Sequence, residues 1–253
     1  MTASELVSRI TATVDYLRVS VGPPPSGEPW LACGPLVSDP EHLLGVVRST
    51  AGSRGTEADD VAMSLFVQGY CFRVASLAIG GWLLGGVVID VDPGKTSIAV
   101  GRGRPNAVRL DTAAVVGDQG GLIESLHDVL IVGHLARLVD TAHRACRIGN
   151  ALLWGNVGAS CAASFGAFMD PLADRRVEIR DKVQSFFAAA RPDVARSGRV
   201  VPVGSRWVWE RNACCLWYQT APAFKCQDCS LWSPEERAAR YEVMRTEDEA
   251  EEA

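Results

Sequence analysis

The sequence has no excess of positive charge. Its 25 lysines and arginines face 30 aspartates and glutamates, for a net charge of −5. Five of those acids, Glu247, Asp248, Glu249, Glu251 and Glu252, crowd into the terminal TEDEAEEA, and the rest of the chain is balanced at 25 against 25. That balance argues against a nucleic-acid partner, because broad phosphate-backbone binding needs clustered cations. The acidic tail reads as a solvated, frayed terminus.

An export signal is also lacking. Glu5 and Asp15 interrupt the first stretch, MTASELVSRITATVDYLRV, which reads as an amphipathic helix with Leu6, Ile10, Val14 and Leu17 along one side. The expected compartment is the cytoplasm, with docking on the inner face of the membrane left open. No apolar run reaches the length of a membrane span. VASLAIGGWLLGGVVI, residues 74–89, stops at sixteen residues and holds four glycines, against the roughly 20 residues a spanning helix needs. It predicts a buried helix running into a buried strand.

Repeats and nucleotide signatures are missing as well. GRGRPN, residues 101–106, sets Arg102 and Arg104 beside glycines, an arrangement that can bind anions. No helix follows at P-loop or Rossmann spacing, so the segment reads as a hairpin turn with solvated arginines. No flavin or nicotinamide motif is present, so an electron donor, if one is needed, is external. The four histidines, His42, His127, His134 and His143, read as helix-surface or core residues rather than ligands.

What is present is a chain of 253 residues, 47% hydrophobic, long enough to bury a sizeable core. Ser38 stands three before Glu41 with Pro40 between them, a capping-box start to a helix. Helical spacing resumes from about Asp59. Short β-branched runs between turn residues over 87–110 predict a small antiparallel sheet. Residues 120–170 keep apolar periodicity too long for one helix and predict at least two. DRRVEIRDKVQSFFAAA predicts a further helix, GRVVPVGSRWVWERN one or two strands, and Ser233 to Glu236 a second capping box with Pro234 at the first helical position. The class is α+β: mainly helical, with a small antiparallel sheet and a C-terminal cysteine-rich segment. The expected organisation is a mixed helical unit over 1–200, a metal-binding segment over 201–235, and a helix with acidic tail over 236–253.

Cysteine is used sparingly except in one place. Cys33, Cys71, Cys146 and Cys161 are scattered among apolar residues and read as core. RNACCLWYQTAPAFKCQDCSLW, residues 211–232, places Cys214, Cys215, Cys226 and Cys229 within sixteen residues, as C-C-x10-C-x2-C. In a reducing compartment such a cluster points to metal or redox chemistry rather than disulfides. Three readings stand on spacing: an iron–sulfur centre, structural zinc, or a redox dithiol at Cys226–Cys229. Adjacent cysteines diverge, so closing both on one zinc at about 2.3 Å strains the backbone. A two-iron cluster offers terminal positions on two metals and is the more forgiving target. An all-thiolate 2Fe–2S centre is dianionic when oxidised. Arg211 and Lys225 beside the ligands, and Arg206 nearby, are placed to offset that charge. Trp207, Trp209, Trp217, Tyr218 and Trp232 either shield the site or form its local core.

These residues resemble the C-terminal signature of the FhuF-like ferric siderophore reductases, in which C-C-x10-C-x2-C binds a 2Fe–2S cluster. Arg211, Leu216 and Tyr218 also look like that pattern, and LLWGNVGAS, residues 152–160, is similar to the family's WGN-containing helix. The resemblance covers the C-terminal two-fifths. It implies that Cys214, Cys215, Cys226 and Cys229 are the cluster ligands. It further implies a cytoplasmic reductase acting on imported ferric siderophores, most naturally of hydroxamate type, with an external protein or small-molecule donor. Arg73, Trp154 and Asn156 are candidates for an aromatic substrate groove. The competing functions are a zinc-stabilised protein that binds a siderophore or partner without redox change, and an iron–sulfur sensor of iron or oxygen.

Overall fold

Helical and extended segments follow the chain much as its apolar pattern dictates. In the computed structural model, which describes residues 1–24, 29–116, 121–223 and 225–252 with side chains to Glu247, the first element is α1, Ala3–Thr13. Thr2 and Glu5 close a reciprocal cap at its start. The helix is shorter than its amphipathic pattern suggests. Arg18–Val21 is instead a strand, β1, and Val14 and Leu17 are buried in the turn between them. β2 (Trp30–Ala32), α2 (Cys33–Leu36) and α3 (Pro40–Ala51) follow. The cap of α3 differs from the sequence expectation. Asp39, not Ser38, accepts from the Glu41 and His42 N–H groups, while Ser38 donates back to Gly34 O. A carboxylate one residue nearer the helix suits both the orphan donors and the dipole.

After a 3-10 turn over Gly52–Arg54 comes α4, Asp59–Gly85, at 27 residues the spine of the molecule. Asp59 and Asp60 favour its positive end, and Gly86, at φ +65°, closes the other in the left-handed conformation. By length and composition α4 could cross a membrane, yet 78% of its most apolar window is buried inside the protein. Its apolar surface on every side is satisfied by protein: α1, α3 and the sheet surround it.

β3 (Val88–Ile89), β4 (Thr96–Gly101), β5 (Arg104–Leu110) and β6 (Val115–Val116) follow. The main sheet has the order β1-β5-β4-β2, with β1 parallel to β5 and the other pairs antiparallel. The small antiparallel sheet is therefore present, extended by a parallel edge that forms far from it in sequence. Arg102 (φ 51°) and Gly103 (φ 72°) make the two-residue β4–β5 turn, with both residues left-handed as right-twisted hairpins favour.

Residues 122–166 hold three helices: α5 (Leu122–Leu126), α6 (Ala136–Ala145) and α7 (Asn150–Gly166), with a π-helical stretch over His127–Leu135 joining the first two. α7 runs parallel to α4 in a fixed register. Asn156, Ser160 and Ser164 on α7 donate to the carbonyls of Ser64, Gln68 and Phe72, each pair 92 residues apart. Polar side chains four residues apart line one face of α7 and cross-link two otherwise apolar helices.

α8 (Arg176–Ala188), α9 (Pro192–Ala195), β7 (Gly198–Val203) and β8 (Arg206–Arg211) complete the body, and α10 (Pro234–Glu252) closes the chain. α10 starts with the expected Ser233–Glu236 capping box. The β7–β8 hairpin lies on α7. There Gly158 and Gly198 allow an approach that a Cβ would block, at 1.8 Å from Ser197 Oγ and 2.5 Å from the Trp209 ring respectively.

Candidate functional site

Strand β8 has the sequence RWVWER. Period-2 alternation turns Trp207, Trp209 and Arg211 inward. Trp207 and Trp209 join the main core, and Arg211, at 2% exposure, is buried at the end of the same row. The thiol loop begins there. Asn212 N–H donates to Ser197 O and its amide to Arg196 O, tying the loop to the end of α9. Ala213 packs on Gly155 of α7, where a Cβ would lie 2.8 Å away. Ser64 on α4 donates to Cys215 O at 2.7 Å, and Ala221 N–H donates to Gly55 O. The loop is thus fastened to four separate elements.

These anchors bring three of the four thiols together. Cys215, Cys226 and Cys229 form a buried cluster of their own, covered by Trp217 and Trp232. Cys214 is half-buried beside it and accepts from Leu216 N–H. Trp232 closes the downstream knuckle by donating to Cys226 O at 3.0 Å. The Cys215 and Cys226 sulfurs stand 3.7 Å apart. That is close to the ~3.8 Å edge that two thiolates share when both lie about 2.3 Å from one metal. Among the described residues, no three His, Cys, Asp or Glu side chains converge as a single-ion site requires. The pair matches one metal position.

The polar surroundings point the same way. Arg211 Nη2 donates to Asn156 Oδ1 at 2.7 Å, and Asn156 donates to both Ser64 O and Ser64 Oγ at 2.9 Å. Asp228 lies 3.8 Å from Nη1, too far for a hydrogen bond. Nε and Nη1 of Arg211 have no acceptor. A buried guanidinium with unmet donors is costly unless an anion completes it. Its charge reaches Cys214, Cys215 and Cys226. In the metal-free chain the Cys215 thiol falls to about 6, chiefly through its bond with Cys226. Burial opposes this shift, and Arg211 and the Trp217 N–H assist it. Cys226 holds the proton of the pair and is pushed upward. With four neutral thiols Arg211 would face only Asp228 at 3.8 Å, whereas a dianionic metal–thiolate centre would set negative charge beside its unmet donors. The donor set and the orphaned cation fit such a group.

Cys33, Cys71 and Cys161 are core residues, and Cys146 packs half-buried against the core. Burial pushes Cys33 and Cys161 up to about 12, and Cys71 upward as well. Lys225 is engaged elsewhere than expected: it lies 4.4 Å over the Trp232 ring and 3.4 Å from Glu236 Oε2.

Beside the thiol loop runs a groove of about 840 Å³, walled by Phe72, Trp207, Trp217 and Trp232, with Cys229 in its lining. Arg73 lines it as expected from the sequence. Neither Trp154 nor Asn156 does. Trp154 is buried on another side, with Arg191 stacked 5.0 Å over its ring. Asn156 is fully buried and holds Arg211. Arg54 and Arg104 line the groove and had no signal strong enough to single them out as site residues. No family model matches the chain, and no curated protein matches it at a significant level.

Proposed function

We propose that the chain is an iron–sulfur ferric-chelate reductase, with Cys214, Cys215, Cys226 and Cys229 as ligands of a 2Fe–2S cluster. The observation that carries this reading is Arg211, a buried cation with two donor nitrogens unmet beside four thiols. The adjacency of Cys214 and Cys215 favours two metals over one.

When bound, such a cluster supplies one electron at a time, which is the amount that converts Fe(III) to Fe(II). The chain's own residues prepare the setting. Trp217 and Trp232 keep water from the buried thiols. Arg211, fixed by Asn156 and Ser64, supplies the positive charge that makes an added electron less costly. The groove alongside Cys229 holds a bulky chelate within reach. Ferric iron, gripped by hard oxygen donors, gains the electron, is held more weakly as Fe(II) and leaves. An external one-electron donor then restores the reduced protein. No proton donor or nucleophile is required. The reaction belongs in the cytoplasm, where imported chelates meet reductant.

The test is anaerobic. Purified protein should be red-brown, bleach with dithionite, and regain colour when mixed with a ferric trihydroxamate or a ferric tris-catecholate, while an Fe(II) trap records one ferrous ion per electron. A reduced protein that no ferric chelate reoxidises removes the reductase reading. A second reading, structural zinc, is favoured by the 3.7 Å Cys215–Cys226 separation alone. Colourless protein with stoichiometric zinc would establish it.

A further inference from the structure

We infer that the groove takes an anionic ferric chelate with aryl donor groups, gripped by Arg54, Arg73 and Arg104. The inference rests on the reductase reading and names its substrate class. The three arginines come from distant parts of the chain. Arg54 ends the 3-10 turn after α3, Arg73 sits in the middle of α4, and Arg104 opens β5. The β4–β5 turn brings them together. A Cβ on Gly103 would stand 2.7 Å from Thr50 O and 3.1 Å from Arg54 Cγ, so the turn rests directly on the turn that carries Arg54.

Among the described residues no carboxylate pairs with Arg54, Arg73 or Arg104. Arg73 donates to the backbone carbonyls of Tyr16 and Pro105. Several arginines elsewhere have carboxylate partners, among them Arg48 with Asp59, Arg109 with Asp111 and Arg175 with Glu178. Burial first, and then the charge of Arg104, lowers the pKa of both Arg54 and Arg73. Three like charges gathered in a partly enclosed groove repel one another, and an anion bound among them relieves that repulsion.

The groove's own carboxylates do not supply that anion. Glu210 is engaged by Arg199, Arg237 and the Tyr241 hydroxyl, Asp228 faces Arg211, and Glu247 is exposed on α10. Gly55, the residue after Arg54, accepts from Ala221 N–H at 3.1 Å, so the cationic end of the groove adjoins the thiol loop. The walls add a second preference. Phe72, Trp207, Trp217 and Trp232 offer ring faces to a ligand that has rings of its own. A neutral trihydroxamate gives the arginines nothing to bind and the tryptophans little to stack on. A tris-catecholate complex, which is trianionic with a trivalent metal, serves both.

Redox-inert gallium complexes separate this inference from the reductase reading, because their binding needs no electron transfer. Binding of a Ga(III) tris-catecholate and a Ga(III) trihydroxamate to the full chain is followed by tryptophan quenching and by calorimetry. The trianionic complex should bind at least about tenfold tighter at low salt, with the advantage shrinking as salt rises. Arg104→Gln, on an exposed turn, and Arg54→Gln should each erode the preference, and the double variant should abolish it, with circular dichroism unchanged. Equal binding of the two complexes, no binding of either, or a double variant that keeps the preference would each overturn the inference. If gallium binding behaves as expected while ferric chelates fail to reoxidise the reduced protein, the reductase reading falls and the anionic-chelate site stands.

Discussion

Arg211 and Asn156 are joined by a 2.7 Å hydrogen bond with both residues buried, 55 positions apart in sequence. The bond links the end of β8 to the middle of α7, and through Ser64 it continues to α4. Replacing Asn156 with Ala strips Arg211 of the 2.7 Å acceptor that holds it and removes the side-chain donor to Ser64 O and Oγ. Stability should fall by about 2–3 kcal/mol, the range for orphaning a buried charged partner, as read from urea unfolding of the metal-free chain.

Arg211→Met should have opposite effects in the two forms of the protein. Without metal, removing an incompletely paired buried cation should cost little or even stabilise. With the centre loaded, the same change should move the midpoint potential negative and speed loss of iron. An unchanged potential in the loaded variant would remove Arg211 from its proposed role.

Serine at any of Cys214, Cys215, Cys226 or Cys229 should lower bound iron and sulfide and alter the paramagnetic signal of the reduced protein. Serine at Cys71 or Cys161, both fully buried in the core, should leave the signal intact and act only on stability. Iron analysis with electron paramagnetic resonance distinguishes the two groups. A Cys226 variant with full iron and an unaltered spectrum would sink the ligand assignment.

Gly158→Ala tests the hairpin seat. The added methyl would meet Ser197 Oγ at 1.8 Å and the Trp209 ring at 3.3 Å. Overpacking at such a contact typically costs about 1–3 kcal/mol. The loss should appear as a lower melting temperature together with poorer cluster retention, because β7–β8 carries Arg211.

His134 sets an acid limit on stability. It is fully buried, with Nδ1 on Val91 O and Nε2 on the Tyr70 hydroxyl at 2.6 Å, so both ring nitrogens are satisfied in the neutral form. Burial lowers its pKa from 6.5 to about 4, outweighing the Val91 carbonyl and Asp92, with Arg137 adding to the fall. The unfolded chain therefore takes up a proton first. The contribution is whole above pH 6.5 and drains away as pH falls to about 4, by about 3 kcal/mol in all. His127, also lowered by burial, adds in the same direction. Denaturant titrations across that window should show the loss, and His134→Gln should flatten it.

Much of this organisation could be read from local pattern. The alternation in RWVWER and the caps at Ser233 and Thr2 depend on neighbours in sequence, and so do the helical runs and the cysteine spacing. The sequence suggested only a charge near the ligands at Arg211, and the strand's alternation turns that residue inward. What could not be read depends on distant partners. The parallel β1 edge forms across more than eighty residues. The α4–α7 ladder needs a register that only packing fixes. Asn156 had the right neighbourhood and the wrong task, because a buried amide and a groove-lining amide look alike in sequence. Arg104 reads as a solvated hairpin arginine with anion binding as the alternative, and Arg54 carries no local signal, until the β4–β5 turn is set against the Gly52–Arg54 turn.

The bond from Ser64 to Cys215 O spans 151 residues. As the chain leaves the ribosome, the spine helix emerges long before the cysteines it will fasten, and the loop can find its seat only after α7 has docked. Seating of the thiol loop is therefore a late step, performed on a body already folded around its own core.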